Sequence, residues 1–405
     1  MSVNVVVVGG GFGGLESAFS LKDLLRSSAR ITVCDRSEYH SFIPSIHEII
    51  SGKLHARDIQ IPLAAVLGVA GIEFVLSEVL SVDTRKKQVI TSAQTLPYDY
   101  LVIGSGAENN FYGIEGAESF SYRFRSPDNA ERIRTDLGLL LARSDLKRTV
   151  MIAGGGTEGV EVAGEIIDFI NDNAYGGDYN SGKIALEIIE GRVQLLPEFP
   201  PEAGEFAEQY LLQKGVTIVT GDRIKEIQKD TVILESGTRR GAAMLIWTGG
   251  IRPTRLIKEI PLRKDPQGWL MLTDRLHCPE NQYIYGVGDA VSVYANDKPL
   301  TFQRLAYHAS DQALVVSLNI YNHLRDRKQV GYSPKNKPQL VSIGKEMGMF
   351  ICNETFLSGQ WVIALKRAVQ ARHLMTYLTK PFFSAITSVI PGAELRHRMR
   401  ILSPL

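Results

Sequence analysis

Two glycine-rich turns stand about 145 residues apart in this chain, each following a run of aliphatic residues and each leading into a helical pattern. The first runs from Val5-Val6-Val7-Val8 into Gly9-Gly10-Gly11-Phe12-Gly13-Gly14. The second runs from Val150-Met151-Ile152 into Gly154-Gly155-Gly156-Thr157-Glu158-Gly159. In G-x-G-x-x-G the first glycine makes the tight turn, the second lets backbone approach a pyrophosphate, and the third lets helix pack on strand. Gly9, Gly11 and Gly14 fill those places first, then Gly154, Gly156 and Gly159. The phosphates then lie at a helix N-terminus, where unpaired N–H groups and the helix dipole favour negative charge. One such turn is a weak signal, but a pair in this setting predicts two bound dinucleotides.

Each fingerprint also needs an acid at the end of its next strand to bind a ribose hydroxyl. After the first, Ala29-Arg30-Ile31-Thr32-Val33-Cys34 ends at Asp35-Arg36, close to the expected interval of about 20 residues. That suits an adenosine ribose. After the second, a polar insertion from Asn171 to Lys183 lengthens the connection, and Ile184-Ala185-Leu186-Glu187-Ile188-Ile189 ends at Glu190. A carboxylate there repels a 2′-phosphate and favours NADH over NADPH, while Arg192 nearby works against that preference.

Tyr98 to Ile103 reads as a buried strand running into the turn Gly104-Ser105-Gly106-Ala107, and Asn281 to Val287 as another ending in Gly288-Asp289. Here the chain resembles the flavoproteins with two dinucleotide-binding domains, whose second flavin motif ends in Gly-Asp. Carried over, Asp289 binds the ribityl chain of FAD, and Met244 to Gly250 returns the chain from the NADH domain; a helix N-cap is the plainer role for Asp289. The resemblance narrows to the type II NADH dehydrogenases, single-subunit NADH:quinone oxidoreductases. It rests on Tyr39 to Pro44, Glu48 to Gly52, Asp58 to Leu63, the second fingerprint from Gly154 to Ile166, and Ile246-Trp247-Thr248-Gly249-Gly250-Ile251-Arg252. It implies FAD and NADH as cofactors. The implied cofactor contacts are Gly9, Gly11, Phe12, Gly13, Gly14, Asp35, Arg36, Ser105, Gly106, Gly288 and Asp289, then Gly154, Gly156, Thr157, Glu158, Gly159, Glu190 and Gly250.

One departure concerns the acceptor. Where that family commonly reads A-Q-x-A-x-Q, this chain has Ala306-Tyr307-His308-Ala309-Ser310-Asp311, with Tyr307 and Asp311 in the glutamine places. The Ala-Tyr-x-Ala version resembles sulfide:quinone reductases and the animal ferroptosis-suppressor quinone reductases. The quinone class is implied either way, with Ala306 and Tyr307 as its candidate contacts.

The expected fold is α/β: two Rossmann-like dinucleotide-binding domains, the FAD domain interrupted by the NADH domain, and a C-terminal region with an amphipathic helix. The expected boundaries are 1–120 for the first FAD part, 121–250 for the NADH domain, 251–332 for the second FAD part, and 333–405 for a membrane-interface or dimerisation region. Ser126 is a candidate N-cap with Pro127 at the first helical position. A length of 405 residues suits two to three domains. Net charge of +1, with no zinc-ligand spacing and no basic-aromatic repeat, argues against nucleic acid as a partner.

Three cysteines, Cys34, Cys278 and Cys352, are too few and scattered for a disulfide framework, and a reducing compartment is expected. Flavin disulfide reductases carry C-x4-C soon after the first acid, whereas 38–57 here contains no cysteine. Electrons must leave the flavin for something other than an enzyme dithiol. Sulfide:quinone reductases need two cysteines beside the flavin, for which only Cys352 is placed, and a buried strand residue is its plainer reading. Met1-Ser2 leads into the first strand without a secretory signal pattern, and no run of about 18 apolar residues spans a bilayer.

Charge is uneven. From Trp361 onward there are seven Lys or Arg against one acid, Glu394, a tail of +6 on a body of −5. Trp361 to Leu378 has helical periodicity, with Trp361, Leu365, Ala368, Met375 and Leu378 near one face and Lys366, Gln370 and His373 on another. With Phe382-Phe383 and Ile386 following, this suits a membrane interface where cations meet anionic lipid, each contributing about 1 kcal/mol. Lys366, Arg367, Arg372 and Lys380 are the four cations of this part. Docking on the protein's own core or on a second subunit, as a homodimer, is the other reading. The expected location is peripheral, on the cytoplasmic face of the membrane.

The expected reaction is hydride transfer from NADH to flavin, then two electrons to a quinone, with no metal. Glu161, two residues beyond Gly159, is a candidate for positioning nicotinamide or managing protons, competing with Glu158 and Glu165 and with a plain solvated-acid role. By family position Lys345 and Tyr307 approach the flavin's other side, and His40 and His308 read as structural. A soluble NADH-dependent ferredoxin reductase and an NADH-sensing flavoprotein without turnover share both fingerprints.

Overall fold

Residues 2–142, 148–173 and 184–387 are described by a computed structural model, with side chains up to Lys380. Phe382, Phe383 and Ile386 as side chains, Glu394, Arg396, Arg398 and Arg400, and the insertion 174–183 lie outside the described residues.

Val5 to Val8 is buried on both faces, as an apolar run in the middle of a parallel sheet must be. The sheet around it has the order Glu73–Leu76, Ala29–Asp35, Val3–Val8, Tyr100–Ile103, Asn281–Gly286, with neighbours parallel throughout. His277–Cys278 closes one edge in the antiparallel sense. Strands from before and after the stretch that builds the second sheet thus share one sheet. A second parallel sheet, built from the residues between, runs Thr217–Thr220, Ile184–Glu190, Arg148–Ala153, Met244–Trp247, Tyr122–Arg123. Gln88–Thr91 belongs to neither; it pairs antiparallel with Val79–Asp83 and Thr95–Pro97 in a small separate sheet. Ser126 caps the helix Pro127–Ala142, accepting the Asn129 N–H at 3.3 Å.

Both fingerprints start helices, Phe12–Leu25 and Thr157–Asn173. The first packs on Ala306–His323. The second carries on its outer side an antiparallel sheet of Gln339–Ile343, Met347–Cys352 and Thr355–Ser358, and the tail helix Gln360–Thr387 lies across that sheet. Gly164 makes this approach possible, because a Cβ there would lie 2.2 Å from the Gly344 backbone nitrogen.

The tail helix exposes the apolar face that its sequence marks and turns its polar stripe inward. Val362, Lys366, Gln370 and Tyr377 face inward, whereas Trp361, Leu365, Val369, Met375 and Leu378 are exposed. Two of the four expected lipid-facing cations, Lys366 and Lys380, are instead ion-paired inside, on the buried Glu161 and Glu16. Arg367 and Arg372 remain exposed. Among the described residues no helix is long and apolar enough to cross a membrane.

Replacing Gly164 with Ala forces the hairpin backbone off the helix. The expected loss is about 1–3 kcal/mol of stability, read from the urea midpoint.

Candidate functional site

The two cradles are built alike. A Cβ on Gly14 would lie 1.8 Å from the Gly9 carbonyl oxygen, and one on Gly159 would lie 1.9 Å from that of Gly154, so each third glycine is fixed by helix–turn contact. Gly11 and Gly156 have nothing within 4 Å of such an atom. That open space sits at the N-terminus of each helix, where a pyrophosphate requires bare backbone. The residues therefore fit two dinucleotides.

The acids that end the next strands hold these turns. Asp35 accepts the N–H of Gly10 at 2.5 Å and of Ser37 at 2.7 Å. Glu190 accepts those of Gly155 and Arg192, both at 2.7 Å. Each carboxylate thus pins the second residue of its own fingerprint. Arg36 and Arg192 are exposed beside them.

Around the first cradle the strand ends converge, as they do in open α/β sheets that bind a ligand there. Gly9 lies against the Gly104 carbonyl, Gly13 against Val287, and the Val287 N–H donates to Ile103 at 2.9 Å. This brings Phe12, Ser105, Gly106, Gly288 and Asp289 to one end of the sheet, in the turns that follow its strands. The Gly288 N–H donates to the buried Gln312 side chain at 2.7 Å. Asp289 lies in a single 3-10 turn and pairs with Arg125 at 2.9 Å; Arg125 also stands 3.8 Å from Glu158 of the second fingerprint, next to Thr157. Burial raises the Glu158 carboxyl, with Arg125 opposing. Gly250, at φ 129°, packs under the Tyr112 hydroxyl.

Between the second fingerprint helix, the hairpin and the tail lies a buried polar centre. Glu161 takes an ion pair from Lys366 and the Ser342 N–H at 3.1 Å. Lys366 also donates to His47 at 3.0 Å and to Ser342 Oγ at 2.9 Å. Burial, then Lys366 and Lys53, hold His47 well below the ordinary imidazole range, so it is neutral. Its Nδ1 lies 3.5 Å from Glu161. Burial raises Glu161 despite Lys366. One turn along, Glu165 and Asp168 share Lys53 at 2.7 and 2.6 Å.

Lys345 is elsewhere. Its ammonium pairs with Asp172 at the surface, 2.7 Å away, and only its backbone N–H reaches inward, to Asp168. The lysine at the buried acid is Lys366, read from sequence as a lipid contact; the stripe Lys366, Gln370, His373, Tyr377 at helical spacing is the signal that it faces inward. Tyr307 follows Ala306 at the start of Ala306–His323, and its hydroxyl accepts the Lys337 N–H at 3.5 Å. Asp311 pairs with Lys337 at 3.0 Å, so both departures from the glutamine pattern meet the same lysine. His308 bonds Tyr332 at 2.9 Å, and His40 bonds His373 at 3.0 Å. All three cysteines are free.

Lys366→Met leaves Glu161 buried without its cation, and about 3–5 kcal/mol of stability should be lost; adding Glu161→Gln should restore most of it in a urea-denaturation cycle. Glu165, pushed up by burial to about 7 from 4.5, binds more proton folded than unfolded. Its contribution is complete below pH 4.5 and is lost as pH rises through about 7. Stability measured across that window should fall with pH, and the slope should flatten in Glu165→Gln.

Residues 3–313 match the pyridine nucleotide-disulphide oxidoreductase family. Among curated relatives, the type II NADH:quinone oxidoreductase of Staphylococcus haemolyticus is 24% identical over 381 residues, covering 91% of this chain and 94% of that one. An NADH dehydrogenase-like protein of Bacillus subtilis is 24% identical over 291 residues, covering 71% and 77%. In structure, NDH2 from Plasmodium falciparum in complex with NADH superposes with a TM-score of 0.84 at 19% identity, covering 97% of this chain and 99% of that one. The sulfide:quinone oxidoreductase of Aquifex aeolicus gives 0.80 at 21%, covering 96% of each. With two glycine cradles of the right build, and a family match over most of its length, the chain belongs to the pyridine nucleotide-disulphide oxidoreductase family.

Proposed function

We propose that this protein is an FAD-dependent NADH:quinone oxidoreductase of the non-pumping, type II kind. The observation that carries the reading is the helix Thr157–Asn173, which begins at the second cradle and, one turn in, presents Glu161 to Lys366 in a buried polar centre. Full-length similarity to proteins named type II NADH:quinone oxidoreductases supports it.

FAD, when bound in the first cradle, supplies hydride acceptance from NADH and two-electron delivery to the quinone. The chain supplies position and charge. Gly9, Gly11, Gly14 and the helix behind them hold one pyrophosphate; Gly154, Gly156 and Gly159 hold the other. Asp35 and Glu190 orient the riboses, and Glu190 repels a 2′-phosphate. Asp289, which here pairs with Arg125, would hold a ribityl hydroxyl of FAD. Glu161 and Lys366 keep a proton in a site that water barely reaches, and Ala306 with Tyr307 borders the quinone. The boundaries near 120, 250 and 332 divide the chain into these tasks. The exposed Trp361, Leu365, Val369, Met375 and Leu378, flanked by Arg367 and Arg372, attach the enzyme to the cytoplasmic membrane surface or to a second copy.

Purified protein should be yellow, bleach with NADH under anaerobic conditions, and recover colour on adding a quinone. Colourless protein after reconstitution with FAD, or bleaching by sulfide and not by NADH, sinks the reading. Glu190→Gln should lose about tenfold of the preference for NADH over NADPH, about 1.4 kcal/mol, in the ratio of kcat/KM values.

A further inference from the structure

The chain passes from the first cradle to the second through a short, braced loop. Ala107–Asn109, which follows the Ser105-Gly106 turn, pairs antiparallel with Ile251–Pro253, which follows Gly250. Asn110 then fastens the loop: its N–H donates to the Gly250 carbonyl at 2.9 Å, its own carbonyl accepts the Trp247 indole N–H at 2.8 Å, and its side chain accepts the Tyr112 N–H at 2.9 Å. Phe111 is buried, with its ring 5.4 Å from that of Trp247. Ile114 closes a turn by donating to the Phe111 carbonyl at 2.9 Å.

The two central residues of that turn, Tyr112 and Gly113, have φ of 51° and 72°, the signs of a type I′ turn. Asparagine, aspartate and glycine suit its first central place, whereas a bulky side chain there strains the backbone. Among the described residues Tyr112 is the one aromatic residue at positive φ. Core packing does not offset the strain, because Tyr112 is 63% exposed. Strain held under an exposed aromatic ring points to a ligand contact.

Its position says which ligand. Gly154, the first glycine of the second cradle, packs on Thr248 and Gly249, a Cβ there lying 3.0 Å from the backbone of each, and Gly250 packs under the Tyr112 hydroxyl. The ring thus stands at the rim of the cradle. Arg148–Ala153, the strand that runs into the cradle, lies between Ile184–Glu190 on one side and Met244–Trp247 on the other. A dinucleotide lies across the carboxyl ends of such strands. With the adenosine ribose at Glu190, the nicotinamide half falls on the Met244–Trp247 side, which is the side of Tyr112 and of the loop that leads back to the first cradle.

We infer that Tyr112 is an NADH contact: its ring packs on the nicotinamide riboside at the rim of the second cradle and keeps that end of the dinucleotide turned toward the flavin. This contact belongs to the NADH-oxidising reading above and rests on it. Tyr112 makes and breaks no bond. Its ring offers an apolar face to the flat nicotinamide and covers it from water.

The test uses FAD-loaded enzyme carrying Tyr112→Asn, and separately Tyr112→Phe. Asparagine tolerates the left-handed backbone and so removes the ring while relieving the strain; phenylalanine keeps the ring. The readouts are the Kd of NAD⁺, a probe that cannot reduce the flavin, by calorimetry, the KM for NADH with a soluble quinone, and the urea midpoint. In Tyr112→Asn the expected result is a rise of about tenfold in both Kd and KM, with a midpoint equal to or above that of the wild type. Tyr112→Phe should stay within about twofold of the wild type, since stacking needs only the ring. Unchanged Kd and KM in Tyr112→Asn, losses as large in Tyr112→Phe, or a lower midpoint in Tyr112→Asn overturn the contact, the last because the ring then serves the fold. Wild-type enzyme that neither binds NAD⁺ nor bleaches with NADH overturns the NADH reading instead.

Discussion

The Glu161–Lys366 ion pair joins two parts of this molecule that lie 205 residues apart in sequence. Its acid stands near the start of the helix behind the second cradle, and its cation belongs to the tail. A buried pair of this kind adds little net stability over apolar packing, but removing either partner strands a charge. It therefore acts as a register. The tail has one rotation about its axis that places Lys366 on Glu161 and Tyr377 on Glu16, and that rotation sends Trp361, Leu365 and Met375 outward.

The same logic of acids on backbone appears in the two cradles. Asp35 and Glu190 each accept the N–H of the residue after the first glycine, so the strand end and the turn are locked before any nucleotide arrives. A turn held this way costs less ordering when its ligand binds, which is what preorganisation means in energetic terms. The two halves differ in what lies beyond: the first leads toward Asp289 and Gln312, the second toward Glu161 and the hairpin.

The cradles were legible in sequence because their glycines answer local demands, a tight turn and close helix–strand contact, that spacing alone encodes. The parallel strands were legible for the same reason, as apolar runs before turns. The tail was harder. Its periodicity marks two faces but not which one the protein covers, because the acids that draw Lys366 and Lys380 inward lie 205 and 364 residues away in sequence. Lys345 differs in another way: the family resemblance sets it on the flavin's other side, whereas the turn at Gly344 aims its side chain at Asp172. Distant charge pairing leaves no period to read.

The tail's inward polar face also sets an order of assembly. Domains form as they leave the ribosome, N-terminal parts first, and both parallel sheets are complete once residue 286 has been made. Residues 366 and 380, which pair with Glu161 and Glu16, are made later than every strand of those sheets. One late helix therefore both brings the cations to these buried acids and covers them.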